Sequence, residues 1–388
     1  MASQGAERML TMQQNTATAM PASPVETTVD EEWASCPALD ETALSGTFWQ
    51  LFDGDRRTLA NFLVLAPQGL LGGFASSSAN MWAVVNGRLC LIGENGLPSV
   101  VFAAARIIEG TIVGFAGRGT IDGRSNLYVL AMTEHPQHPQ FSSPPNEERR
   151  ALFTTQPEGG PLRPNLVIVP AGAGSLHPRW LEDVTSLTRN WDLCIGYYGV
   201  EEPAIASAFE YLAHIPSTKK FRLLYNLLYD GSPLWKYEAI WLPDDDLDGT
   251  GTDINRMFHI FRQHGLDLAQ PALKAGPNSF PTHPITVAQP GSVLRHEPFV
   301  EIMCPIFSKR ALKICVGSMK DVMSGYGLDH LWPSFLGNPR SRMGIIDAVS
   351  FAHTRPIGAT YNVQAAVDEQ TELFHAYGFT YRRIAGVW

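Results

Sequence analysis

The chain of 388 residues has room for two or three domains, and its 45% hydrophobic and 10% aromatic content excludes a chain disordered throughout. A formal charge of −9 excludes the global basic field that would draw it to nucleic acid, and no nucleic-acid partner is expected. Five cysteines, an odd number with no CxxC pair, do not make a disulfide framework and point to a reducing, cytoplasmic setting.

Residues 1–40 are rich in Ala, Ser, Thr, Pro, Gln and Met without hydrophobic period, and read as a disordered tail with no signal peptide. From 41 to 134 short apolar runs alternate with Gly, Asn and Asp. Asn86-Gly87, between WAVV and RLCLI, is a two-residue hairpin signal, and Asn95-Gly96 is another. Strands this short and regular predict a small antiparallel β domain, a barrel or a sandwich. Trp49 and Trp82 read there as core or barrel-mouth residues, with a sugar-binding face as the alternative. The most apolar stretch, 100–115, is broken by Arg106 and Glu109 and falls short of the roughly 20 apolar residues of a spanning helix. No transmembrane segment is expected; peripheral membrane contact is left open, with no basic amphipathic helix to make it.

Residues 135–163 open on a Pro-rich polar run, HPQHPQFSSPPNEERR, that reads as a linker. From 164 to 388 strand-like and helix-like segments alternate: NLVIVPAG, WDLCIGYYG, YEAIWLP, LDLAQPAL, PFVEIMCPIF and MGIIDAV as strands; PRWLEDVTSLTR, PAIASAFEYLAH, KKFRLLYNLLYD, TDINRMFHIFRQHG, SKRALKICVG and NVQAAVDEQTELFHAYG as helices. That alternation predicts an α/β domain, a mostly parallel sheet flanked by helices.

The chemistry is concentrated in YEAIWLPDDDLD, an apolar strand running straight into Asp244, Asp245, Asp246 and Asp248. Ligands of open parallel sheets bind beyond the carboxyl ends of the strands. Adjacent carboxylates there raise each other's pKa unless a cation neutralises them, and oxygen-only ligands favour Mg²⁺ or Mn²⁺, which take further ligands from substrate phosphates. The alternative is a solvated acidic loop. In GYGLDHLWPSFLG, Asp329 at a helix start in apolar surroundings is a candidate general base, with His330 its rival and a plain helix-end carboxylate the alternative. His353 ends a strand in DAVSFAHTRPIG and gains weight if the fold brings it to the Asp triplet. Trp332 and Tyr326 are candidates for stacking on a sugar or for core packing. Walker A, HExxH and GxSxG signatures are absent.

Residues from about 165 to 358, through NLVIVPAGAGSLHPRWL, RNWDLCIGYYG, YEAIWLPDDDL, AQPAL, HPIT, FVEIMCPIFS, GYGLDHLWP and IIDAVSFAHTRPIG in order, resemble the domain of unknown function 707 family. That family in turn resembles nucleotide-sugar-dependent glycosyltransferases of the GT-A fold. The resemblance implies a GT-A-like domain and a metal-dependent, inverting transfer of sugar from a nucleotide-diphosphate sugar to a carbohydrate or glycoconjugate acceptor, with Mn²⁺ or Mg²⁺. It implies Asp244 and Asp246 as the ends of a DxD motif, Asp244, Asp246 and His353 as metal ligands, Asp244 and Asp245 beside the nucleotide sugar, and Asp329 as base. Pro170, Ala171, Gly172 and Tyr198 would lie beside the nucleotide, and Lys219 or Lys220 would reach a phosphate. With no QxxRW, a processive synthase is not implied. The readings weighed against it are a metal-dependent phosphoesterase or nucleotidyltransferase, and a non-catalytic nucleotide-sugar or carbohydrate-binding protein.

Overall fold

Two-residue turns build the first half of the fold. Asn86-Gly87, Glu109-Gly110 and Asp122-Gly123 all take positive φ at both residues, the conformation that folds adjacent strands back on each other in register. The computed structural model describes residues 33–66, 69–74, 76–133, 152–201, 208–320, 322–338, 340–359 and 361–377, together with 379, 384 and 387. Most of the expected tail and the Pro-rich start of the expected linker lie outside them. Residues 34–388 form one compact unit.

The strands of the first half are β1 (Ala34–Ser35), β2 (Thr47–Asp53), β3 (Thr58–Ala66), β4 (Leu70–Gly72), β5 (Met81–Val85), β6 (Arg88–Ile92), β7 (Pro98–Ile108), β8 (Thr111–Ile121) and β9 (Arg124–Thr133). Each of β2 to β9 pairs antiparallel with the next, and β9 returns to β2, so the meander closes on itself as a barrel; β1 pairs on the outside with β7. Trp49 and Trp82 are fully buried in its core with Leu63, Leu65, Phe102 and Phe115. This settles them as core and removes the sugar-face reading. The period-2 alternation of β3 sends Phe62 and Val64 the other way, into the core of the second half.

That half contains β10 (Phe153–Thr155), β11 (Asn165–Ala171), β12 (Trp191–Tyr197), β13 (Tyr211–His214), β14 (Ala239–Trp241), β15 (Leu247–Asp248), β16 (Leu268–Leu273), β17 (Ile306–Ser308) and β18 (Met343–His353). Helices α1 (Lys220–Leu227), α2 (Gly251–Gln263), α3 (Lys309–Cys315), α4 (Leu328–Phe335) and α5 (Val363–Ala376) accompany them. The strands form one sheet in the order β10-β13-β12-β11-β14-β17-β16-β18-β15. Along β11, Leu166 and Ile168 face one apolar layer with α1, α3 and α4, while Val167, Val169 and Ala171 face the other with α2.

The expectation of a mostly parallel, GT-A-like sheet is overturned. β13-β12-β11-β14 and β16-β18 are parallel pairs, but β10-β13, β14-β17, β17-β16 and β18-β15 are antiparallel, so the sheet is mixed. The physical reason lies in the connections. A parallel neighbour needs a crossover, usually a helix, and between β16 and β17 the chain makes only the short 3₁₀ turn Pro284–Thr286 before returning antiparallel. The segment read as helix PAIASAFEYLAH ends instead in strand β13 at Tyr211–His214, its β-branched and aromatic content being low but its pairing with β12 in place. PRWLEDVTSLTR yields only the 3₁₀ turn His177–Leu181. Cys36, Cys90, Cys194, Cys304 and Cys315 are free thiols. No helix among the described residues is long and apolar enough to cross a membrane.

Candidate functional site

The backbone of the Asp triplet is pinned residue by residue as it leaves β14. Asp244 N–H donates to Met303 O at 2.8 Å; Asp245 O accepts from Leu176 N–H at 2.7 Å; Asp246 O accepts from Thr354 N–H at 3.1 Å and from its hydroxyl at 2.8 Å. Leu247 then pairs with His353 where β15 meets the end of β18. Strand ends separated by a hundred residues in sequence are thereby fixed against one another.

The three carboxylates have different company. Asp244 takes Lys220 Nζ at 2.6 Å, and the same ammonium donates to Ile302 O and Met303 O at 2.8 and 3.0 Å. Burial raises the Asp244 pKa, and Lys220 opposes the rise. Asp245 is saturated: its Oδ2 accepts from Gly172 N–H at 3.2 Å and Tyr198 OH at 2.8 Å, and its Oδ1 from Arg355 Nη2 at 2.5 Å. Burial, then the Asp245 charge, raises the Tyr198 phenol. Asp246 is 5% exposed. Its Oδ2 lies 3.3 Å from His353 Nε2 and 3.4 Å from Arg355 Nε, while its Oδ1 is buried without a hydrogen-bond partner among the described residues. Burial works against a charged His353, but the hydrogen bond and charge of Asp246 prevail and raise its pKa; Nδ1 is set by Phe280 O at 2.8 Å.

Two further buried acids are coupled to the cluster, Glu301 to Asp244 and Asp329 to Glu301. Glu301 is 3% exposed, and burial pushes its pKa up to about 7, with the charges of Asp244, His353 and Lys220 acting on it. Asp329, in the first turn of α4, is 7% exposed, and burial followed by the Glu301 charge pushes it up to about 8. The helix N-cap is Gly327, at φ 93°, so Asp329 is not the cap. His330 points elsewhere, its ring 5.4 Å from Phe299 and 5.9 Å from Phe374, and burial lowers it to about 4. Tyr326 borders the acids, its hydroxyl 2.7 Å from that of Tyr361. Trp332 is fully buried with its indole N–H on Ser318 Oγ at 3.1 Å, and is core.

The residues singled out from sequence thus meet in part. Asp244, Asp245, Asp246 and His353 form one cluster, Gly172 and Tyr198 join it through Asp245, and Asp329 is linked to it through Glu301. Pro170 and Ala171 are buried in β11 directly before Gly172. Lys219 is exposed at the start of α1, and Lys220 is the lysine that reaches the triplet. Glu301 and Arg355 were not assigned from sequence. A lone carboxylate inside the apolar run FVEIMCPIF was the available signal, since an acid seldom enters a core without a role.

Among the described residues no three His, Cys, Asp or Glu side chains are gathered as a metal set. Asp246, with one buried partnerless oxygen beside the His353 imidazole, fits instead a hard ion held by one carboxylate and one imidazole and completed by oxygens of a bound phosphate.

Residues 231–377 match the family model "Protein of unknown function (DUF707)". No curated protein matches the chain. Among solved structures, S. aureus TarS (1–349) is similar at 9% identity and a TM-score of 0.32, over 55% of this chain and 71% of that one. A mycobacterial protein is similar at 13% identity and a TM-score of 0.34, over 56% and 76%.

Proposed function

We propose that the chain is a metal-dependent glycosyltransferase that moves a sugar from a nucleotide-diphosphate sugar to an acceptor hydroxyl, with inversion. The observation that carries this reading is an acidic strand end held by cations and coupled, through the buried Glu301, to a buried carboxyl on another element whose pKa is pushed up to about 8. The two halves of a group transfer need these two characters. Asp246 and His353 would hold Mn²⁺ or Mg²⁺, which when bound supplies Lewis-acid stabilisation of the leaving diphosphate. Lys220 and Arg355 add fixed positive charge at the same strand ends. Asp245, bonded by Gly172, Tyr198 and Arg355, orients its neighbours.

Asp329 in its ionised form takes the proton of the acceptor hydroxyl. The acceptor oxygen bonds to the anomeric carbon, and the carbon–oxygen bond to the diphosphate breaks with its electron pair leaving on the phosphate. A base of pKa near 8 combines basic strength with a usable ionised fraction near neutrality. The turnover should therefore rise with pH and level off above about 8. Calorimetry with UDP and with GDP, each with and without Mn²⁺, tests the donor half; absence of metal-dependent binding of either diphosphate would overturn the reading. A product that keeps the donor's anomeric configuration would overturn the inverting mechanism alone.

A further inference from the structure

Glu301 occupies an expensive position for a structural residue. Its backbone N–H donates to Gln270 Oε1 at 2.6 Å, and Gln270 is itself fully buried on β16, so the residue is fixed from the sheet. The Thr282 hydroxyl bonds the carboxyl. Oε2 is buried and has no hydrogen-bond partner among the described residues. Folds rarely leave a buried carboxyl oxygen unmet, because its desolvation is not returned. The groups coupled to Glu301 show which region it borders: Asp244, Lys220 and His353 on the strand-end side, Asp329 and Tyr326 on the α4 side.

We propose that Glu301 is a sugar-binding residue of this site, its Oε2 bonding a hydroxyl of the hexose carried by the donor. The proposal rests on the transferase reading above. A phosphate is the wrong partner for this carboxyl, since Glu301 is itself an acid coupled to Asp244 and Asp329, and like charges repel. A hydroxyl suits it in either protonation state: it donates to the carboxylate and accepts from the acid. With its pKa pushed to about 7, Glu301 populates both forms near neutrality. The residue also interacts electrostatically both with the groups assigned to the diphosphate and with the base assigned to the acceptor, the two sets that the transferred sugar has to bridge.

The test compares full-length wild type and Glu301→Gln in calorimetry with UDP, UDP-glucose, GDP and GDP-mannose in Mn²⁺, with thermal unfolding alongside. Wild type should bind one sugar nucleotide more tightly than its diphosphate. Glu301→Gln, which keeps the shape but offers only a neutral amide, should weaken that increment by up to roughly tenfold, the charge-assisted part of one hydrogen bond. It should keep the diphosphate affinity within about twofold, and it should unfold at the same temperature as wild type or higher. Glu301→Ala, which removes the carboxyl altogether, should show the same loss. An unchanged increment, or a sugar nucleotide bound no better than its diphosphate by wild type, overturns the proposal and leaves the transferase reading standing. A fall in unfolding temperature together with weaker diphosphate binding makes Glu301 structural and also overturns it. If wild type binds none of the four probes, the transferase reading itself fails and takes this proposal with it.

Discussion

Replacing Asp329 by Asn should make the protein more stable and less active, with the stability gain appearing only as pH rises. Asp329 is buried in the first turn of α4, where burial first and Glu301 second carry its pKa from 3.8 to about 8. In the unfolded chain it returns to about 3.9. Below about pH 4 the acid is neutral in both states, and its contribution to stability is fully present. Between about pH 4 and 8 the unfolded chain ionises while the folded one stays protonated, so stability is lost at up to about 1.4 kcal/mol per pH unit. Over the roughly four units this amounts to on the order of 5 kcal/mol, and above the folded pKa the loss stops. Asn does not titrate and keeps the oxygen that accepts from His330 N–H at 3.0 Å. Urea midpoints of wild type and Asp329→Asn should therefore coincide near pH 4 and separate steadily towards pH 8. Glu301, raised to about 7, titrates in the same window, so the curve belongs to the pair. In the same variant, transfer should fall by about two to four powers of ten while donor binding holds. A stability difference that does not change with pH would refute the reasoning, because Asp329 would then be an ordinary carboxylate.

Three further outcomes are expected. Asp246→Asn should abolish Mn²⁺-dependent binding of UDP or GDP in calorimetry and leave thermal unfolding close to wild type, since the variant keeps the shape of the buried side chain; unchanged affinity would remove Asp246 from the metal site. Asp245→Ala should destabilise by about 2–3 kcal/mol in urea unfolding, because it strips the acceptor from Gly172 N–H, Tyr198 OH and Arg355, a figure set below that for a fully buried pair since the Arg355 side chain is 37% exposed; a change under about 0.5 kcal/mol would show that these three bonds do not hold the strand ends together. Residues 41–134 expressed alone should give a dispersed NMR spectrum and no transferase activity, because Trp49, Trp82, Phe102 and Phe115 form a core within the barrel; a collapsed spectrum would show the boundary to be wrong.

Local signals in the sequence were reliable where the cause of structure is local. Asn86-Gly87 names its own turn, because few residue pairs tolerate two consecutive positive φ angles. Helices α1, α2, α3 and α5 follow their apolar period. The direction of a strand within a sheet has no such local cause. β17 carries the same kind of apolar run as β11, and it runs antiparallel because of what the chain does across residues 274–305, where Gly276, Pro277, Pro281, Pro284 and Pro290 keep a crossover helix from forming. Strand–helix alternation read as a parallel sheet therefore failed at that connection. Phe62 and Val64 were unreadable for a related reason. Alternation along β3 separates two faces, but only the assembled unit shows that both faces are buried, one inside the barrel and one against Phe335 and Tyr377.

The site divides along the same line. The Asp triplet was legible because acids directly after an apolar strand are rare and chemically expensive, and His353 because it ends a strand. Their division of labour was not legible. The resemblance implied that the first and last acids of DDD act; the structure adds that Asp245 has three partners and that Asp246 keeps an oxygen with none among the described residues. Which of Lys219 and Lys220 faces the triplet depends on the rotation of α1, about 100° between neighbours, and a helix start does not reveal its phase. Glu301 carries the general lesson furthest. In sequence it is one acid in an apolar run, a pattern shared by many solvated edge residues. Only with Gln270 fixing its backbone, Thr282 taking one oxygen and nothing among the described residues taking the other does burial become a demand for a partner. An unmet demand of that kind, coupled both to a strand end held by cations and to a carboxyl raised to about 8, is the strongest physical reason to look for a polyhydroxylated ligand there.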